Sequence, residues 1–340
     1  MSSRARVETN HSASIVNTAT HEKLLHGLSL MIFSSNGAEA TTALYELLRW
    51  SAFKPQEPAQ VNSVSNYAQP TPMLVMSLTK FIKNNVRSWA PGPSTKPAIT
   101  ALAIFSNLVN SCDSKQSLVN AIIIASSVET IELLYRISLS PFSPLAKHSQ
   151  NILLQTSKFC DIEKYLNNEH GKKLLENLCS SFMIMEPYEE ETNIVIFIHF
   201  ALLPSNCKLF LDKLGAENMV TKIAQLLSFP STNLRDLLLE FIYLCSMSIP
   251  DFKDVICSSQ TMLRALLTLA IPPFKAYESK YILPFTPCQK ACVLLLELSD
   301  DSRVISYLAR FKLQISEAML HWKSCDLPKL ALKLSNASSN

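Results

Sequence analysis

Two short segments place metal-binding residue types about one helical turn apart. His21-Glu22-Lys23-Leu24-Leu25-His26 nearly matches the His-Glu-x-x-His zinc motif, whose histidines share one face of a helix. Here the histidines are one residue too far apart, about 140° around the helix, so they would not converge. Cys288 and Cys292 could share a metal, but no second Cys/His pair with suitable spacing follows them. We therefore expect a capped helix start, buried thiols, no metal and no cofactor.

Residues for covalent or phosphate chemistry are scarce. His199 lies in an apolar run with no serine or cysteine of nucleophile context nearby, so we expect it to be a core histidine. The GxSxG, GxxxxGK[ST] and GxGxxG patterns do not occur. The chain has only 5 glycines, where average usage predicts roughly 24. A sheet-rich fold or a nucleotide site is therefore not expected, and we predict a protein that is not an enzyme and has no small-molecule substrate.

Two groups of charged residues could contact a partner. Lys80, Lys83 and Arg87 have helical spacing, with apolar residues on the opposite side. A solvated face is the favoured interpretation, and a surface for phosphates or an acidic partner is the alternative. The net charge of +3 is too balanced for a protein that mainly coats nucleic acid, so we expect at most weak non-specific DNA contact.

The second group is acidic. Glu186, Glu189, Glu190 and Glu191 precede a predicted helix that begins at Thr192. Negative charge stabilises a helix N-terminus, which explains most of this pattern. An exposed acidic docking loop is the alternative.

Cysteine usage and hydropathy predict a reduced compartment. The 9 cysteines are scattered without a CxxC pair, which is typical of buried thiols in the cytosol or nucleus. The polar N-terminus predicts no signal peptide. The most apolar run, 194–203, is about half the roughly 20 residues that a membrane span needs, so we expect no membrane association.

The chain repeats a pattern of three helices about every 46 residues. A short first helix carries an apolar anchor, and the anchors Leu118, Tyr165, Phe210 and Val255 are predicted to be equivalent buried positions. The pattern then predicts second and third helices in each repeat. The second helices are predicted at 129–138, 172–182, 218–229 and 260–271, and the third helices at 144–158, 192–203, 232–247 and 287–298.

Three helices per repeat is the armadillo layout, whereas HEAT repeats have two. Residues 98–109 resemble an armadillo third helix, and 214–220 resemble the Gly-Ala turn between the first two helices, with Gly215 at a helix C-cap. We predict an all-α, right-handed α-solenoid of armadillo-like three-helix repeats over residues 20–333. Flexible tails are predicted at 1–19 and 334–340. Armadillo import adaptors carry a ladder of Trp and Asn residues on successive third helices. Here Asn107 stands alone, so binding of localisation signals is not expected.

Both ends resemble one family more closely. The segments are Leu24–Met31, Ala38–Leu48, Pro72–Phe81, Cys288–Leu296 and Asp300–Arg303. They are similar to the armadillo-repeat core of the ARID-type (Osa/BAF-type) subunits of SWI/SNF chromatin remodellers. The resemblance implies a non-catalytic, nuclear scaffold in transcription regulation, which organises other protein subunits of a multi-subunit complex. We expect a scaffold-only version without direct sequence reading of DNA.

The alternative is a cytoplasmic armadillo-type adaptor that binds an extended peptide in its concave groove. A helical enzyme with an unrecognised site is a third hypothesis, and no motif favours it.

Overall fold

The regular structure of this protein is helical. The computed structural model describes residues 26–32, 37–51, 72–86, 96–110, 114–140, 143–271, 285–321 and 327–337, and within these ranges every regular element is a helix. The predicted all-α class is therefore confirmed. The chain divides into two compact units, 1–177 and 178–340.

The helices of the first unit follow a helical segment at 26–32. A 3₁₀ helix at Ser157–Phe159 and another at Ile162–Tyr165 precede the seventh α-helix, within which the division between the units falls. The seven are α1 (Gly37–Ser51), α2 (Pro72–Asn85), α3 (Lys96–Val109), α4 (Ser114–Ala125), α5 (Val128–Ser138), α6 (Ser143–Thr156) and α7 (Glu169–Ile184).

The second unit continues the same succession of short and long helices. Its helices are α8 (Pro187–Ala201), α9 (Pro204–Leu214), α10 (Ala216–Leu227), α11 (Thr232–Ser248), α12 (Pro250–Ser258), α13 (Gln260–Ala270), α14 (Phe285–Leu298), α15 (Ser302–Ala309), α16 (Lys312–His321) and α17 (Leu327–Ala337). Helix α17 includes residues 334–337, which the sequence assigns to the C-terminal tail, and Leu334 is buried in it.

The predicted second and third helices occur where the repeat places them. The second helices are α5, α7, α10 and α13, and the third helices are α6, α8, α11 and α14. Proline begins α8, α9 and α12, where its missing N–H would be unpaired in any case. The first helices vary most in length and type. In the repeat that follows α6, the 3₁₀ helix Ile162–Tyr165 takes the place of the first α-helix.

Within each unit, a helix packs against the helix three further along the chain. In the first unit α3 packs on α6 and α2 on α5. In the second unit α8, α11, α14 and α17 pack in that order, as do α10 and α13. Stacking with a period of three helices is what a three-helix repeat requires, because each repeat buries its apolar faces against its neighbours.

Aromatic residues show the true register of the first helices. The Phe210 ring of α9 lies 4.8 Å from Phe197 of α8, and the Phe252 ring of α12 lies 6.3 Å from Phe241 of α11. All four are fully buried. Phe252 is therefore the equivalent of Phe210, about one helical turn before Val255.

The prediction of four equivalent buried anchors is thus wrong for three of them. Leu118 is 47% exposed, and Tyr165 and Val255 are half-buried. These first helices bury other positions, such as Asn120, Ile162 and Phe252. Short helices have too few turns for apolar spacing alone to show which side faces the core.

Polar side chains satisfy the carbonyl groups at helix ends. Asn120 Nδ2 donates to the Leu108 carbonyl at 2.8 Å, and Asn206 Nδ2 donates to the Phe200 carbonyl at 3.0 Å. Both asparagines are fully buried and lie on the helix that follows a third helix. The last carbonyls of a helix have no partner within it, so these amides allow the chain to turn inside the core.

Gly215 has φ of +82° between α9 and α10. This confirms the predicted role of glycine at that helix end, because other residues rarely adopt a positive φ. Its N–H donates to the Leu211 carbonyl at 2.9 Å.

Among the described helices, none is by itself long and apolar enough to cross a membrane; two bent pairs, α4 with α5 and α8 with α9, meet the length and composition test jointly.

Candidate protein-interaction site

The lysines of the predicted solvated face lie on the exposed side of α2. Lys80 and Lys83 are both exposed, whereas Arg87 lies outside the described residues. Lys83 Nζ donates to Glu129 Oε1 of α5 at 3.0 Å. Its charge therefore faces a carboxylate of the neighbouring second helix.

That carboxylate belongs to a charge network between α5 and the start of α7. His170 Nδ1 lies 3.4 Å from Glu132 Oε2, and its Nε2 lies 3.8 Å from Glu129 Oε1. Arg136 Nε lies 2.8 Å from Glu132 Oε1, whose side chain is only 5% exposed. A buried carboxylate needs such partners, so the network joins the helices of this unit. The sequence does not predict this network, because its members lie on three separate helices.

Two of the four acidic residues at 186–191 support helix starts. Glu190 accepts a hydrogen bond from the Glu186 N–H at 3.1 Å and lies at a break in α8. Glu191 accepts one from the Ser231 hydroxyl, and the same hydroxyl accepts the Leu234 N–H of α11 at 3.3 Å. Helix α8 begins at Pro187 and not at the predicted Thr192, so Glu189, Glu190 and Glu191 lie within its first turns and do not form a loop. The contacts fit the interpretation that acidic residues support helix starts.

A cavity of about 410 Å³ lies beside this acidic segment. Tyr188 is 83% exposed there and packs edge-on against Phe229, with ring centroids 4.9 Å apart. Buried Lys222 also lines the cavity, and its ammonium donates to the Met185 carbonyl at 2.7 Å. The Lys222 ammonium therefore pairs with a carbonyl group directly after the C-terminal end of α7.

The cysteines of the described ranges are buried and not disulfide-bonded. Burial raises the pKa of the Cys160 and Cys179 thiols to about 12, so they stay protonated and are poor nucleophiles. The Cys288 and Cys292 thiols both point at the Ala270 carbonyl. Across the part of the chain that is described, no cluster of three or more His, Cys, Asp or Glu could hold a metal ion. His26 is exposed and His199 is half-buried, while His21 lies outside the described residues.

Helix α4 buries two amides and exposes three large apolar side chains. Gln116 and Asn120 are buried beside Ala121, Ile124 and Ala125, and Gln116 Nε2 donates to Asn120 Oδ1 at 2.8 Å. Its outer side carries Leu118, Val119 and Ile122, which are 47%, 38% and 46% exposed. We call these three side chains the α4 stripe. Exposed apolar side chains that lie side by side are a candidate interaction surface.

A cavity of about 430 Å³ adjoins the α4 stripe. Leu118 and Ala121 of α4 form one wall of the cavity. Phe159 and the exposed Lys158 also line it, and they belong to the 3₁₀ helix that follows α6. The lining is completed by Val109, Asn110, Ser114, Ser117 and Gln155. The stripe and this cavity form a ridge beside a hollow, a shape that can accept side chains of a partner. The apolar spacing predicts Leu118 to be buried, so the sequence does not indicate this candidate site.

Comparisons with known proteins define no family for this chain. No protein-family model and no curated protein matches it. Among solved structures, it is similar to the crystal structure of an engineered protein at 12% identity, over 93% of this chain and 99% of that chain, with a TM-score of 0.31. A similarity of this degree carries no argument about function.

Proposed function

We propose that this protein is a non-catalytic scaffold that holds other proteins through its helical surface. The observation that carries the proposal is the α4 stripe, where a helix buries amides and exposes Leu118, Val119 and Ile122. Exposure of these apolar side chains to water is unfavourable in free energy, and a bound partner that covers them would remove this cost. Tyr243 and Met247, exposed on the third helix α11, offer further apolar contacts in the second unit.

The finer architecture belongs to the same proposal. We interpret each unit as a stack of armadillo-like three-helix repeats within a right-handed α-solenoid. The packing of α8 on α11 and of α11 on α14 supports this interpretation. A stack of repeats has much surface for its volume, which suits a protein that organises partners.

The complex that we propose is a SWI/SNF-type chromatin remodeller in the nucleus. This rests on the sequence resemblance of the two ends to the ARID-type subunits. A cytoplasmic armadillo-type adaptor is the alternative, and the exposed Tyr243 and Met247 on a third helix favour it, because third helices line the groove in armadillo proteins.

Affinity purification of the tagged chain from its native source tests this proposal. We expect remodeller subunits to co-purify in near-stoichiometric amounts and to survive nuclease treatment. Recovery of a cytoplasmic or receptor complex instead would refute the remodeller proposal and support the adaptor. An enzymatic activity that co-purifies with the isolated chain would refute the scaffold itself.

A further inference from the structure

We propose that the cavity between the start of α8 and the end of α10 binds a small zwitterion of the α-amino-acid class with an apolar side chain. The inference goes beyond the scaffold proposal and does not rest on it. Every residue that lines this cavity lies in the range 143–271, which the structure describes without a gap.

The buried ammonium of Lys222 offers a position for a carboxylate. Lys222 is 7% exposed and lines the cavity. An ammonium has three N–H donors, and the described residues give this one a single acceptor, the Met185 carbonyl at 2.7 Å. The end of α7 offsets part of the positive charge, but no carboxylate of the described ranges pairs with Lys222. Because a buried charge without a counter-charge is costly, the site favours an anionic group in the cavity.

Glu186 favours a ligand that also carries a positive charge. It lines the same cavity and directly follows Met185 in the chain. Its N–H donates to Glu190 at 3.1 Å, whereas its exposed carboxylate has no partner within the part of the chain that is described. This carboxylate repels a simple anion and attracts an ammonium on the same ligand. An α-amino acid carries both charged groups on one carbon atom, so it can satisfy Lys222 and Glu186 together.

An aromatic pair supplies the apolar part of the lining. The Tyr188 ring is 83% exposed and packs edge-on against Phe229, which also lines the cavity. An apolar side chain of the ligand that covers this ring removes apolar surface of both from water. The volume of about 410 Å³ lies near the lower end of the roughly 300–1,000 Å³ of small-molecule sites. The size therefore selects a single small molecule over a segment of a folded partner.

Isothermal titration calorimetry of the full chain with free phenylalanine tests the inference. We expect phenylalanine to bind at least tenfold more tightly than N-acetylphenylalanine, which lacks the positive charge, and than phenylalaninamide, which lacks the negative charge. Glycine has both charges but no side chain, so it should also bind more weakly. These comparisons use the natural protein, so they decide the question even where a variant does not fold.

Substitutions then assign the two charges to residues. Lys222→Met and Glu186→Gln should each weaken phenylalanine binding at least tenfold. Glu189→Gln is the matched control, because Glu189 is exposed three residues after Glu186 but does not line the cavity, so this change should leave binding unaltered. Circular dichroism checks that each variant keeps its helices.

Three results would overturn the inference. They are no binding of phenylalanine at millimolar concentration, binding of either derivative as tight as that of phenylalanine, and binding that Lys222→Met leaves unchanged. The proteins that co-purify with the chain decide the scaffold proposal separately, so either conclusion can fail while the other stands.

Discussion

At the scale of single residues, aromatic contacts join the third helices α8 and α11 to the first helices that follow them, α9 and α12. Phe210 is fully buried with its ring against Phe197, whose ring stacks on Phe182 at 3.9 Å. The repeat is therefore held together by large side chains at defined positions, and loss of one should leave a cavity that close packing cannot refill.

Phe210→Ala should lower the free energy of unfolding by about 3–5 kcal/mol, the usual cost of a large core truncation. Phe252→Ala should cost a similar amount, because Phe252 is the buried equivalent of Phe210. Val255→Ala should cost little, because Val255 is half-buried. Urea unfolding measures all three, and a Phe252→Ala variant as stable as the natural protein would refute this register.

Asp301 combines a helix cap with an ion pair. Its carboxylate accepts the Arg303 N–H at 2.8 Å, and Arg303 also contacts Asp254 at 2.5 Å. The hydrogen bond from the Arg303 side chain lowers the pKa of Asp301 to about 2. The charged form is therefore stabilised by folding. Its contribution is present above the unfolded-state pKa of about 4 and is lost as pH falls towards 2.

Asp301→Ala should cost about 1 kcal/mol at neutral pH, since it removes the cap. Asp301→Asn keeps a capping oxygen and loses only the charge, so its cost should be smaller. The advantage of the natural residue over asparagine should disappear between about pH 4 and pH 2. Chemical denaturation across this range is the measurement, and an advantage that persists at pH 2 would contradict the assignment.

At the scale of elements, the start of α7 depends on a glycine within a helix. A Cβ on Gly171 would overlap the carbonyl oxygen of Tyr165 in the preceding 3₁₀ turn. The close approach of the two backbones allows the charge network of His170 to form against α5. Helix propensity alone would favour alanine at this position, because it does not take contacts with another backbone segment into account.

Gly171→Ala should therefore destabilise the protein, although alanine is the better helix former by about 1 kcal/mol. Gly27→Ala is the matched control, because Gly27 also lies in a helical segment and nothing stands within 4 Å of its Cβ position. That change should stabilise slightly. Thermal melts that shift upward for both variants would show that α7 does not need the glycine.

At the scale of the whole molecule, the balanced net charge of +3 limits what the protein can do with DNA. Lys80 and Lys83 are both exposed on α2, and Lys83 pairs with Glu129, so this surface carries less free positive charge than the sequence indicates. Non-specific binding depends on the number of phosphates that cations neutralise, and it falls steeply with salt.

We expect the isolated chain to bind duplex DNA weakly, with equal affinity for unrelated sequences and little binding at physiological salt. Lys80→Glu should weaken binding further, whereas Lys164→Glu, a similar change at an exposed site, should have a smaller effect. Anisotropy titrations over a salt series measure both. Tight binding to one sequence would contradict the scaffold proposal and its adaptor alternative.

The sequence by itself determined the helical class and most of the helix positions. Apolar spacing over long helices, prolines at helix starts and the scarcity of glycine act locally, so α5, α11 and α13 lie close to their predicted bounds. Gly215 could also be assigned from sequence, because a positive φ at a helix end is a local requirement that glycine meets.

Only the tertiary structure decided which side of each short helix is buried. Apolar periodicity placed Leu118 in the core, whereas packing put Asn120 there instead, since the end of α3 needed a hydrogen-bond donor. The pairing of Lys83 with Glu129 likewise joins helices distant in sequence. The proposed binding surface could not be predicted from sequence for that physical reason. Hydrogen bonds to the carbonyls at the end of α3 orient α4 so that the α4 stripe is exposed, and such contacts between helices leave no local pattern in the sequence.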